Sequence, residues 1–337
     1  MTLPRTYEVR VLTAALVLCT FTAPGAVGAQ PSLRVATVGV LAPGPRTHPY
    51  PGPSEQALEA GLKELGWTPG QTIRVEYRYA EGRPERLEEL ARELAHLGVD
   101  VIVARASQSI RAAQRATATI PIVMSAAGLD PVQVGFVASL ARPGGNVTGL
   151  TLLNQDLYIK HLQLLKDIVP RLSRVGTLGS PGATLPPKGQ QALEAAARAL
   201  GLELHHVDVR GGDDLDQAFT EMVRAGANGL LVKADPFVLE ANDRRVVALA
   251  LKHRLPAVYW LHTYAQAGGL MSYGADLFEV HRRSAYFVDR ILRGARPAEL
   301  PVEEPAKFAL VVNLKAARSL GLIIPPSFLA RANEIIQ

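Results

Sequence analysis

Apolar positions along this chain recur with two alternating periods. From Val35 to Val40 they follow the pattern of a short β-branched strand, and then Leu58, Leu62 and Leu65 repeat at i, i+4 and i+7, one face of a helix. Gly66 ends that helix with a residue tolerant of positive φ. Ile73, Val75, Tyr77 and Tyr79 alternate with polar neighbours, which predicts a partly covered strand over Ile73–Tyr79. Pro84 suits a first helical turn, and the helix it opens buries Leu87, Leu90, Leu94 and Leu97. Short apolar strands are predicted at Val101–Val103 and Ile120–Val123. The second half repeats the series: strand 175–178, helix 187–200, strand 202–209, helix 214–225, strand 229–232, helix 236–253 and strand 257–260. Strands separated by helices of this length predict an α/β fold of parallel sheets covered on both faces.

The two halves also repeat at the level of residues. Arg34-Val35-Ala36-Thr37-Val38-Gly39 reappears as Arg174-Val175-Gly176-Thr177-Leu178-Gly179, and Ala57-Leu58-Glu59-Ala60 as Ala192-Leu193-Glu194-Ala195. Ile120-Pro121-Ile122-Val123 is matched by Leu255-Pro256-Ala257-Val258. Three matches in order imply two lobes of common design, and 337 residues exceed what one core normally serves. Beyond the repeat, a strand is predicted at Gly269–Tyr273, a helix at 278–292, a strand at Ala309–Val312 and a helix at 314–320. The expected organisation is a leader over 1–29, a first lobe from 30–150 with 269–306, and a second from 151–268 with 307–337. The turn Pro143-Gly144-Gly145-Asn146 leads into Val147–Leu153, the expected first crossover. Several crossovers between lobes would form a hinge.

Composition narrows the function. The chain is 48% hydrophobic and 20% charged, outside the disordered range. Its formal charge of +5 carries no dense Lys/Arg run, so nucleic acid is not an expected partner. Arg5 and Arg10 precede an apolar stretch from Val11 to Phe21, and Val27 and Ala29 stand at −3 and −1 of a cleavage before Gln30. This is the grammar of a cleaved secretory leader. Cys19 partly resembles a lipid-attachment position, but the bulky Leu18 before it argues against lipidation. Without the leader no cysteine remains, so stability rests on core packing.

In parallel sheets ligands collect beyond the carboxyl ends of the strands. Ser107, Gln108 and Ser109 follow the strand at Val101–Val103; either serine suits a helix cap, beside backbone amides able to receive a carboxylate. The repeat puts Asp235, followed by Pro236, at the position equivalent to Ser107, and a zwitterion spanning the two would satisfy both lobes. Asp130-Pro131 repeats the cap-and-proline pattern after the small-residue loop Ser125-Ala126-Ala127-Gly128. Pro43 and Gly44 after the first strand, and Thr184 in the matching loop, are expected to face the cleft. Tyr259 and Trp260, with Tyr273 one strand later, suit either stacking on a planar ligand or packing at the core and hinge. No nucleophile elbow, zinc helix, phosphate loop or dinucleotide turn is present. His205 and His206 are adjacent on one strand and point to opposite faces, so they do not share a metal. The expectation is binding without catalysis, cofactor or metal.

Three stretches carry a resemblance that covers essentially the whole mature chain. They are Asp130-Pro131-Val132-Gln133-Val134-Gly135 through Ser139-Leu140-Ala141-Arg142-Pro143-Gly144-Gly145-Asn146-Val147-Thr148-Gly149, then Gly269-Leu270-Met271-Ser272-Tyr273-Gly274, and Asn313-Leu314-Lys315-Ala316-Ala317. In these the chain resembles the periplasmic substrate-binding proteins of ABC transporters of the tryptophan/tyrosine type. The resemblance implies a type I periplasmic-binding fold with multiple hinge crossovers. It also implies delivery of the ligand to a membrane permease driven by a separate ATPase; the chain itself is expected to be a monomer. Carried onto this chain, the cleft positions are Ser107–Ser109, the Asp130 loop, the Thr151 region and Asp235. A sensor module of the same fold is the alternative. The proline-rich run from Pro43 to Pro53 departs from a plain loop and bears on which ligand fits.

Overall fold

The computed structural model describes residues 35–44, 54–181, 184–235, 238–239 and 241–337. The expected leader, most of the proline-rich run and Pro236 lie outside these residues. The first lobe opens with β1 (Ala36–Ala42), α1 (Ser54–Glu64) and β2 (Ile73–Tyr79). A turn of 3-10 helix at Pro84–Arg86 leads into α2 (Leu87–His96), as the proline predicts, then β3 (Val101–Arg105) and α3 (Ala106–Ala116). Next come β4 (Ile122–Ala127) and β5 (Val147–Thr151). These five strands form one parallel sheet in the order β2-β1-β3-β4-β5.

The second lobe holds α4 (Asn154–Ile168), β6 (Arg174–Gly179), α5 (Pro187–Ala199), β7 (Glu203–Asp208), α6 (Leu215–Arg224) and β8 (Gly229–Val232). It continues through α7 (Asp243–Lys252), β9 (Ala257–Tyr259), α8 (His262–Gln266) and β10 (Met271–Ala275). After α9 (Leu277–Leu292) the chain adds β11 (Phe308–Asn313), α10 (Leu314–Ser319), α11 (Pro326–Leu329) and β12 (Glu334–Ile336). The second sheet runs β12-β11-β10-β9-β8-β6-β7 and is parallel except where β11 meets β10. That antiparallel pair was not expected; β11 enters the sheet from the opposite end because the chain reaches it from the first lobe.

Three differences from the pattern-based reading have physical reasons. Helix α4 was not anticipated, since it follows directly on the crossover and has no cap: its N-cap is Leu153, at φ 44°. The helix expected from Pro236 begins only at Asp243. β10 pairs with β9 and so is not part of the first lobe, where 269–306 as a block was placed. The chain returns to the first lobe after β10, at Asp276, whose side chain caps α9 through the amides of Phe278 and Glu279.

Apolar faces meet on both sides of each sheet. α1 and α9 cover one face of the first sheet through Leu58, Leu62, Val280 and Val288, and α2 and α3 cover the other through Leu90, Leu94 and Ile110. In the second lobe Leu162, Leu165 and Leu193 cover one face, and Phe219, Met222 and Val246 the other. Among the described residues the chain passes between lobes three times, at Leu152–Leu153, at Asp276 and over 304–307. The first and third passes are bound together: the Thr151 amide donates to the Glu303 carbonyl at 2.9 Å, and the Glu303 amide to the Gly149 carbonyl at 2.9 Å.

Candidate functional site

The strand order marks where a ligand fits. In the first sheet it reverses between β1 and β3, in the second between β6 and β8, and a crevice opens beyond the carboxyl ends at each reversal. β1 runs out into Pro43 and Gly44, and β3 ends on Arg105. β6 ends at Gly179 beside Ser180, and β8 is followed by Lys233, Ala234 and Asp235. A cavity between the two lobes lies to one side of these reversals, beyond the carboxyl ends of β4 and β6. Asp130 and Gln133 line it from the first lobe, Leu153 at the first crossing, and Gln155, Asp156, Leu185 and Pro186 from the second. A second cavity lies at the reversal of the first sheet, where Ser54 and Glu55 of α1, Tyr77, Arg105, Ser125 and His281 converge.

The backbone is strained at these strand ends. Ala106 has φ 61°, Ala126 φ 63° and Leu153 φ 44°, a left-handed conformation that L-residues with a Cβ adopt only at some cost. Ala126 falls where the register of β4 against β5 shifts between Met124 and Ala127. Three such residues, after β3, within the end of β4 and after β5, mark the rim of the first lobe as a place where geometry is imposed by the surroundings.

Each residue singled out from the sequence has a definite place. Ser107 does not cap α3: Arg105 occupies the N-cap position without a side-chain cap, and the Ser107 hydroxyl instead accepts the Leu129 amide at 3.1 Å. It thereby ties the α3 start to the loop after β4. Ser109 is fully buried within α3 with no partner for its hydroxyl, and Gln108 is half-buried between them. Asp130 accepts the amides of Val132 and Gln133 and the Gln133 side chain, so it shapes its turn while lining the interlobe cavity. Thr151 is buried, and its hydroxyl donates to the Ala127 carbonyl at 3.1 Å. Pro43 is buried, Gly44 half-buried and Thr184 exposed.

In the second lobe Asp235 is wholly buried and accepts the amides of Val238 at 2.7 Å and Leu239 at 3.4 Å. It organises the turn after β8 and does not start α7. Tyr259 belongs to the core, stacked on Tyr264 with ring centroids 4.8 Å apart. Trp260 is buried beside it, its indole nitrogen without a partner. Tyr273 is half-buried and stacks on Phe308 at 5.7 Å, while its carbonyl accepts from His161 Nε2 at 2.6 Å. These three aromatics therefore pack the second lobe and its crossings, one of the two roles open to them.

Two cations were missed. Arg105 and Lys233 stand at equivalent positions by the same repeat that pairs Ser107 with Asp235, and that offset was the signal able to find them. Lys233 is 3% exposed, lying against Gly179, and burial pushes its ammonium down while Asp208 opposes the shift. His281 is held neutral, well below the usual imidazole range, by burial and then by the Arg105 charge. Its Nδ1 lies 2.7 Å from the Ser125 hydroxyl, and Ser284 donates to Ser125 at 2.9 Å. No group of three or more His, Cys, Asp and Glu among the described residues could hold a metal, and no helix among them is long and apolar enough to cross a membrane.

Comparison with known proteins agrees with this geometry. Residues 47–336 match the family described as ABC transporter substrate binding protein. The tyrosine-binding protein of Clostridioides difficile is 23% identical over 276 residues, 82% of this chain and 78% of that protein. A Streptococcus pneumonia ABC domain solved in complex with L-Trp superposes with a TM-score of 0.79 at 25% identity, covering 89% of this chain and 99% of that one. A conserved domain protein from Vibrio cholerae gives a TM-score of 0.81 at 28% identity over 90% of this chain and 100% of that one.

Proposed function

The chain belongs to the ABC transporter substrate-binding family, and from that membership we propose that it binds an amino acid, aromatic among the candidates, in the cleft between its lobes. The observation that carries the reading is the cavity lined from both lobes at the carboxyl ends of their strands. The relatives support the ligand class: one is named for tyrosine and another was solved with L-Trp. The family is one of binding proteins, typically extracytoplasmic, that work with a membrane permease and its ATPase.

Residues 1–29 fit this reading as a cleaved leader, with the mature protein acting as a monomer outside the cytoplasm. The ligand delivers its free energy to the lobe–lobe equilibrium, since only contacts made in the closed state can shift it. The permease then recognises that state. Isothermal calorimetry with a panel of L-amino acids and their amine and acid analogues checks the reading. We expect one ligand group to bind with a single site per chain; heats no larger than dilution across the whole panel would overturn it.

A further inference from the structure

We propose that Arg105, on the first-lobe wall at the sheet reversal and apart from the cavity beside Asp130, is the anchor for a carboxylate of the ligand, so that the protein selects small organic acids, amino acids included, over the corresponding amines. The inference rests on the binding reading above and names the chemical group recognised.

Arg105 closes β3 at the reversal of the first sheet, and its side chain lines the cavity there. Its Nε is buried without a hydrogen-bond partner, and no carboxylate among the described residues pairs with it. A guanidinium donor buried and unused carries a desolvation penalty of the kind that an incoming anion removes. The planar fork also matches a carboxylate in two parallel bonds, which an ammonium does not.

The neighbours fit the same role. Ser125 lies between His281 Nδ1 at 2.7 Å and the Ser284 hydroxyl at 2.9 Å, so the His281 ring is held in a fixed place in the cavity wall. Burial, and then the Arg105 charge, hold His281 neutral beside that cavity. Ser54 opens α1, an 11-residue helix whose positive end faces this cavity. The acidic groups nearby are engaged: Glu55 accepts the Tyr79 hydroxyl and Glu59 the Tyr77 hydroxyl.

The second lobe shows the contrast. Lys233, the repeat equivalent of Arg105, lies close enough to Asp208 to feel its charge. The lobes are therefore unequal: one cation has an acidic neighbour of its own and the other is left for the ligand.

The test is calorimetry on the wild-type protein and on Arg105→Gln, Arg105→Lys and Lys233→Met, with unfolding midpoints recorded for each. The probes are L-tyrosine, L-tryptophan, benzoate and succinate, against tyramine and tryptamine, which lack the carboxylate. We expect an acid to bind the wild type and its amine analogue to bind at least about tenfold more weakly. Arg105→Gln should weaken the acid about 10- to 100-fold, as loss of a charge-assisted pair implies, and Arg105→Lys should fall between. Equal binding of acids and amines, unchanged affinity in Arg105→Gln, or loss of the acid in Lys233→Met alone would overturn the assignment. If only non-acids bind, the binding-protein reading stands and this one falls; if no acid among these probes or in the wider L-amino-acid panel binds, this assignment falls, and the binding reading falls only if the amines fail as well.

Discussion

His161 shows how a single residue can set a condition for the whole second lobe. It sits on the buried face of α4, donates from Nε2 to the Tyr273 carbonyl, and has no partner for Nδ1. Burial holds its pKa down at about 4, against an ordinary 6.5. Protonation would place a charge between Tyr158 and Tyr273 with no acceptor to receive the new N–H. The unfolded chain binds this proton more readily than the folded one. Stability from His161 is thus complete above pH about 6.5 and is lost as pH falls toward 4, about 3 kcal/mol in all. His281, also depressed, adds in the same direction. Thermal denaturation from pH 7 to 4 should show a falling midpoint, and His161→Gln, which keeps the donor without the titration, should flatten that fall. An identical acid limb in the variant would refute this account.

At the scale of elements, the pairing of α1 with α9 decides how the first lobe is assembled. These helices lie far apart in sequence and reach the same face of the sheet only because the chain returns after β10. Gly61 is where they touch: a Cβ there would lie 2.5 Å from the Arg282 carbonyl and 2.8 Å from Ala285 Cβ. Alanine at 61 would gain about 1 kcal/mol of helix propensity. Against this, a backbone carbonyl cannot swing aside, and overpacking a contact of this kind costs about 1–3 kcal/mol. Gly61→Ala is therefore expected to lower stability in chemical denaturation despite the better helix former. A stabilised variant would mean that the helices separate freely.

The individual elements were legible along the chain wherever a period ran long enough. Ile73–Tyr79 and Gly229–Val232 appear as read, and Pro84 does open a helical segment. Helix α4 was hidden because it starts directly on the crossover and Leu153 offers no cap. Of the candidate site, Asp130 lines the interlobe cavity, whereas the serine caps did not survive. A serine two residues past a strand reads as a cap, but β3 runs straight through Arg105 into α3, and Ser107 turns to Leu129 instead.

For the whole molecule, the three crossings are the feature on which function turns. Two run side by side as Leu150 and Glu303 pair, and Arg283 holds Glu303 at 2.9 and 2.8 Å. Gly149 lets β5 approach β4 there, at φ 124° with no room for a Cβ beside Met124. Lobes joined through so few backbone segments can turn about them while each sheet stays intact. Small-angle scattering with saturating ligand should show a smaller radius of gyration than without it. No change on binding would exclude lobe closure as the signal passed to the membrane partner.

What the sequence determined by itself follows from local physics. Periodicity is set by which side of each element meets a core, and an internal repeat is visible because both lobes solve that problem alike. The two-lobed α/β design, and the strand ends as the place to look, were therefore legible. Which lobe takes β10, which helices pair, and which polar groups are already engaged are decided by contacts between separate elements that the local pattern does not encode. Ser125 meets His281 and Arg105 stays unpaired for that reason, and only the tertiary structure brings them to one cavity.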